Sequence, residues 1–139
     1  MPKITGGKAH AARLKRLGGP EARAAVGRAL FAAGQQLEAY AGRSITEGAV
    51  SGKGHVPSAP GQPPNNDTGV LARNIETVQV SPDTVHVSSN APYAAALEFG
   101  TSKMAERPYM RPAAATTRKE ATDLVRRAVA YIANGGTVR

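Results

Sequence analysis

The stretch PYAAALEFGTSKMAERPYMRP, residues 92–112, decides how this chain is read. Asn90-Ala91-Pro92 opens a short helix through Tyr93, Ala96, Leu97 and Phe99, because proline is preorganised for a first helical turn. Gly100 closes it, since glycine readily takes the left-handed backbone that ends a helix. Thr101 to Glu106 is a polar loop. Arg107-Pro108-Tyr109 then leads through Arg111 to Pro112, where a last helix is expected to begin. Nothing in this connector has the look of reaction chemistry. Its aromatic rings and arginines are the residue types enriched at protein interfaces, so it reads as a shaped, sticky surface made for assembly.

Downstream, Ala114, Ala121, Leu124, Val125, Ala128 and Ile132 fall on one helical face, and Asn134-Gly135-Gly136 ends it. Upstream lies an alternating pattern. Val78 and Val80 face one way, Thr77 and Gln79 the other. Ser81-Pro82-Asp83 marks a turn, and Val85 and Val87 alternate with Thr84, His86 and Ser88. This predicts a β-hairpin over 77–88 with one buried face. Two strands alone are marginal in water, so the hairpin needs a helix on its apolar face or further strands, including a neighbour's. Before it, Asp67-Thr68-Gly69 offers a helix cap at Asp67 or Thr68, followed by a turn or two carrying Val70, Leu71 and Ile75.

Gly19-Pro20 predicts another helix start, with Glu21 in the first turn. Val26, Leu30, Ala33, Leu37 and Tyr40 follow at helical spacing along six turns or more, fading between Ile45 and Gly48. Between Val50 and Asn66 the pattern disappears into four prolines and three glycines. Such a long connection is expected to be extended, free to lie along a neighbouring subunit. The fold class predicted is α+β: long N-terminal helix, small antiparallel sheet, short helix, C-terminal helix. Residues 20–134 form one domain, with the extended Pro/Gly loop 50–66 inside it and a basic flexible arm at 1–19 before it.

The 139 residues carry a net charge of +8. Lys3, Lys8, Arg13, Lys15, Arg16, Arg23 and Arg28 oppose Glu21 alone over residues 1–28, so most of that charge sits at the N-terminal end. Such an arm suits a polyanion or an acidic protein surface. With no Cys, thiolate chemistry, disulfides and cysteine zinc sites are excluded. No apolar run approaches a membrane span and no apolar stretch follows the basic N-terminus, so a soluble chain without a secretion signal or membrane contact is expected.

Catalytic signatures are missing. Gly52-Lys53-Gly54 lacks the spacing and preceding strand of a phosphate loop. His10, His55 and His86 are scattered, with no helical metal pair among them, and no nucleophile elbow surrounds any serine. Glu98 and Glu106 could form a carboxylate pair, but Arg107 and Arg111 lie close in sequence, and an ion pair is the plainer fate of Glu98. No catalytic residue, cofactor or metal site is expected, and the chain reads as a non-enzyme.

Four pieces in fixed order carry a family resemblance: Ser58-Ala59-Pro60-Gly61-Gln62-Pro63-Pro64; Asp67-Thr68-Gly69 with Leu71 and Ile75; Pro92-Tyr93-Ala94 into Glu98-Phe99-Gly100-Thr101; and Arg107-Pro108-Tyr109 with Arg111-Pro112-Ala113. Together with the flanking helices they resemble the small tail-completion (neck, head–tail joining) proteins of long-tailed lambdoid-type bacteriophages, the gene-ten-like minor tail proteins. The resemblance covers about residues 20–133, and Tyr109 stands where the family often has Phe.

It implies a structural virion protein with a tail-terminator-like layout, made in the host cytoplasm and assembled as a ring, a hexamer. Its implied partners are copies of itself, the head connector or stopper, and tail-terminator or tail-tube proteins. The residues expected at subunit contacts are Ser58, Pro60, Gly61, Pro63, Pro64, Tyr93, Glu98, Phe99, Gly100, Thr101, Arg107, Tyr109 and Arg111. The basic arm, Lys3, Lys8, Arg13, Lys15 and Arg16, is expected to face an adjacent protein ring, with DNA contact compatible but not required. The rival reading is a nucleic-acid-binding module that uses this arm on phosphate.

Overall fold

The computed structural model describes residues 5–47, 52–65 and 67–136. The helices are α1 (Gly7–Leu17), α2 (Pro20–Thr46), α3 (Val70–Arg73), α4 (Ala94–Phe99) and α5 (Met110–Ala133); the strands are β1 (Ile75–Ser81) and β2 (Thr84–Ser89). The α+β class agrees with the sequence reading, and the long helix α2, hairpin, short helix α4 and C-terminal helix follow in the expected order; α1 is an additional helix within the stretch 1–19 expected as an arm.

Helix α2 is the spine. Pro20 occupies its first turn with Glu21 beside it, as the sequence predicts. The antiparallel hairpin packs on one face of α2, and α5 runs along another. The larger core gathers Ala41 and Ile45 of α2, Leu71, Ile75, Ala91, Ala94, Tyr109 and Ala113. A smaller one joins Ala22 and Ala25 to Ile132 at the far end of α5. Polar links tie the layers: Thr77 Oγ1 donates to Glu38 Oε2 at 2.6 Å, and Gln36 Nε2 to Glu120 Oε1 at 3.2 Å.

The buried side of α2 is built from small residues. Ala22, Ala25, Gly27, Ala33, Gly34, Ala41 and Ile45 are buried, whereas Val26, Leu30, Leu37 and Tyr40 of the expected stripe are only half-buried. The cause is close backbone approach. A β-carbon at Gly27 would overlap the Pro82 carbonyl oxygen, and one at Gly34 would sit 2.6 Å from Thr77 Cγ2 and 3.1 Å from Val85 Cγ1.

The hairpin face is the reverse of the one expected for β1. Val78 and Val80 are 43% and 56% exposed. Ile75, buried, and Thr77, half-buried, turn toward α2 instead. Their cross-strand partners are Ser89 and Val87. Strand periodicity is two, so a strand that starts at Ile75 commits its odd-numbered residues to the inner face. Assigning Ile75 to the preceding helical turn, as its spacing from Leu71 suggests, loses that parity. A register shift between Gln79 and Ser81 closes the hairpin.

Three further expectations are corrected. Helix α3 is a single turn capped by neither Asp67 nor Thr68: its N-cap is Gly69 at φ 81°, without a side-chain cap bond. The Asp67 Oδ1 accepts the Gly52 N–H at 2.9 Å instead. Helix α5 starts at Met110, with Pro112 within its first turn, where a missing N–H costs nothing. Ala114 is exposed, and Ala113 and Thr117 take the buried positions.

Candidate functional site

The connector 92–112 folds around one carboxylate. Helix α4 is only six residues long, and its last turn puts Glu98 inside, 5% exposed, while Phe99 beside it is 68% exposed. Gly100 then takes φ 75° and ψ 176°, a backbone state confined to glycine. A β-carbon there would lie 2.9 Å from both Glu106 N and Met104 O, so space and dihedral each demand glycine. The loop doubles back through Thr101 N–H to Met104 O at 2.8 Å, and Arg107 N–H reaches Leu97 O at 2.6 Å.

That return delivers the start of α5 to Glu98. Its Oε2 accepts the backbone N–H groups of Tyr109 at 2.9 Å and Met110 at 3.0 Å, and its Oε1 accepts that of Arg111 at 2.8 Å. These are the donors that a helix N-terminus leaves without intrahelical partners. Tyr109, at the N-cap position, supplies no side-chain cap, so a carboxylate from another helix does. Burial alone would push the Glu98 carboxyl up. The three N–H donors and Arg111 outweigh it and hold it below the ordinary value.

Arg111 closes the device. Its Nε donates to Glu98 Oε1 at 3.1 Å, and its Nη2 to Glu98 O at 2.6 Å and Glu106 Oε2 at 2.8 Å. Its guanidinium lies 5.2 Å from the centroid of the Phe99 ring. Glu98 and Glu106 thus share an arginine. The ion pair weighed against a carboxylate dyad is what forms.

The Pro/Gly segment docks on the same loop. Arg107 Nε donates to Ser58 O at 3.1 Å, and Gly61 N–H to Glu106 O at 2.9 Å. Gly61 sits at φ 81° in the turn. Pro64 is buried, Pro63 half-buried, and Pro60 and Gly61 are exposed. Asn65 Nδ2 braces the arm against Val56 O at 2.8 Å.

The residues singled out from sequence therefore fall into three places. Ser58, Gly61, Glu98, Gly100, Arg107, Tyr109 and Arg111 meet in one knot. Within it Glu98 and Tyr109 are interior (Tyr109 is 1% exposed), so they can shape a contact surface but not form its face. Burial also pushes the Tyr109 phenol up. Phe99, Thr101 and Tyr93, the last 44% exposed, are displayed around it. The basic residues Lys8, Arg13, Lys15 and Arg16 lie on α1, against the C-terminal half of α5, about 20–35 Å along that helix from the end that Glu98 caps. Lys3 is outside the described residues.

Sequence reasoning missed the Ser58–Arg107 and Gly61–Glu106 links, since both use backbone carbonyls that no pattern marks. At Gly52-Lys53-Gly54, the Gly52 N–H that a phosphate would need is engaged by Asp67. Among the described residues no cluster of His, Asp and Glu could hold a metal ion, and no helix is long and apolar enough to cross a membrane.

A protein-family model described as "Bacteriophage HK97-gp10, putative tail-component" matches residues 8–100, about two thirds of the chain. The match starts inside α1, earlier than the resemblance read from sequence, and ends at Gly100, before the loop that carries Arg107, Tyr109 and Arg111. No curated protein and no solved structure gives a match.

Proposed function

The chain belongs to the HK97-gp10-like family of bacteriophage tail components, and we propose that it serves in the neck, where copies close into a ring, a hexamer, that completes the head-proximal end of the tail and lets the head join. The observation that carries this reading is the fate of Glu98. A buried carboxylate kept for chemistry leaves an oxygen free for a proton, a metal or a substrate. Here both oxygens are taken up by four donors of the chain itself. The group fixes the shape of a loop and arm that hold Phe99 out in solvent. Such a device builds a docking surface and does no bond-making.

A ring subunit needs two different patches that meet head to tail. One is the Phe99–Arg111 face with the adjoining arm, Ser58 to Pro64, an aromatic and arginine set of the kind that dominates interface energetics. The other is the outer hairpin face with Val78 and Val80, which α2 leaves uncovered. Above and below lie the head connector or stopper and the tail-terminator or tail-tube proteins.

The test is a virion made without the protein. Full heads and free, unjoined tails are expected under the electron microscope. Particles joined and infectious at normal yield would end the reading. The rival, a nucleic-acid module, draws on α1, which presents Lys8, Arg13 and Lys15 with no acidic residue among its eleven. It calls for a monomer whose DNA retention falls steeply with salt.

A further inference from the structure

We propose that α1 is an exchangeable arm: in the assembled particle it leaves the groove on its own α5 and packs into the same groove on an adjacent copy. This rests on the reading that copies assemble side by side.

Helix α1 is docked but poorly seated. None of its residues is buried, and Leu14 and Leu17 remain 56% and 36% exposed although they face α5. The cleft between the two helices, lined by Leu14, Leu17, Val125 and Val129, keeps a volume of about 510 Å³. Among the described residues one side-chain hydrogen bond secures the helix, from Arg16 Nη2 to Ala133 O at 3.0 Å. That bond places a cation on the carbonyl end of α5, where the helix dipole favours it. Every copy of the chain offers the same carbonyl and the same groove. A contact made within one chain can therefore be made between two, with only the connecting residues changing.

Those residues are Gly18 and Gly19, and their identity is not explained by the conformation they hold. Both have negative φ, −87° and −86°, open to any residue. A β-carbon at either would meet only carbonyl oxygens at 3.4 Å or beyond, ordinary contact. Gly100 makes the contrast, since dihedral and neighbours both forbid a side chain there. Two adjacent glycines that the docked state does not require add freedom to the chain without a return in that state. A second conformation of the joint supplies the reason. Pro20 then confines the bend, because it locks the first turn of α2.

The chain has no native Cys, which makes the test direct. Tails carrying the full-length chain with Leu14→Cys and Val129→Cys together are oxidised and run on a non-reducing gel. Exchange gives covalent ladders of several copies. Intrachain-linked monomer alone overturns the exchange and leaves the ring reading standing, as does the absence of any link. Tails found by quantitative mass measurement to hold a single copy overturn both. Should the cysteine pair fail to incorporate, Gly18→Ala with Gly19→Ala decides. The free protein should melt no lower than wild type, since both dihedrals suit alanine, while incorporation into tails drops severalfold. Undiminished incorporation overturns the proposal.

Discussion

The Arg111 guanidinium holds Glu98 twice, once through Nε to the carboxylate at 3.1 Å and once through Nη2 to the Glu98 carbonyl at 2.6 Å. The same carboxylate caps α5. Replacing Glu98 by Ala strips several N–H groups of their acceptor in a buried place. An unsatisfied buried donor costs about 1–3 kcal/mol, and the cap and the ion pair fail together. Glu98→Ala should lower the stability of the purified chain by about 3 kcal/mol in urea denaturation. Glu98→Gln should recover part of it, since one oxygen still accepts. Equal stability of wild type and Glu98→Ala would remove Glu98 from the centre of the fold.

The same group gives the protein an acid sensitivity of known sign. Its folded carboxyl lies below the ordinary glutamate value of 4.5. A depressed pKa stabilises the fold above the unfolded value and loses that contribution as pH falls through the folded one. Stability should therefore decline as solution is taken from 4.5 toward stronger acid, and Glu98→Gln should be flatter over that window. Denaturant midpoints of the two proteins across the acid range check this. Parallel curves would show that Glu98 is not the group responsible.

The glycines of α2 make a graded series. A side chain at Gly27 runs into the Pro82 backbone, which cannot step aside; at Gly34 it meets the tips of Thr77 and Val85; at Gly42 it meets nothing within 4 Å. Helix propensity favours alanine at each by about 1 kcal/mol. Overpacking opposes it by about 1–3 kcal/mol where space is lacking. Gly42→Ala should raise the melting temperature, Gly34→Ala should lie near neutral or somewhat lower, and Gly27→Ala should lower it clearly. A different order in a thermal melt would mean that α2 and the hairpin are not in the contact described.

The signals that were legible in the sequence are local ones. Pro20 and Glu21 start α2, Gly100 stops α4, and Ser81-Pro82-Asp83 turns the hairpin, each through a backbone preference written in the residue itself. What escaped depended on partners. The inward face of β1 was set by Ile75, whose strand identity comes from pairing with Ser89 rather than from its neighbours. The buried side of α2 is made, Ile45 apart, of Ala and Gly because the hairpin and α5 come close, and a count of large apolar residues points beside it. The Glu98–Arg111 pair was foreseeable from charge, but its role as a helix cap was not. Capping patterns look three residues ahead, and Glu98 acts eleven residues away on Tyr109.

Under the proposed function, Phe99 is the residue at which folding and assembly can be told apart. At 68% exposed its ring contributes little burial to the monomer, and its contact with the Arg111 guanidinium, 5.2 Å from the centroid, is of the exposed cation–π kind. Removing the ring should leave the melting temperature of the free chain almost unmoved. An aromatic anchor at an interface behaves otherwise, since truncating one commonly costs about 2 kcal/mol or more of binding. Phe99→Ala should therefore yield a folded protein that enters tails poorly and leaves heads unjoined, while Phe99→Tyr, which keeps the ring, should enter normally. Counting joined particles by electron microscopy, beside a melt of each purified variant, distinguishes the two roles. If Phe99→Ala joins heads at wild-type frequency, the ring is not an anchor, and the contact surface must be sought on the outer hairpin face instead.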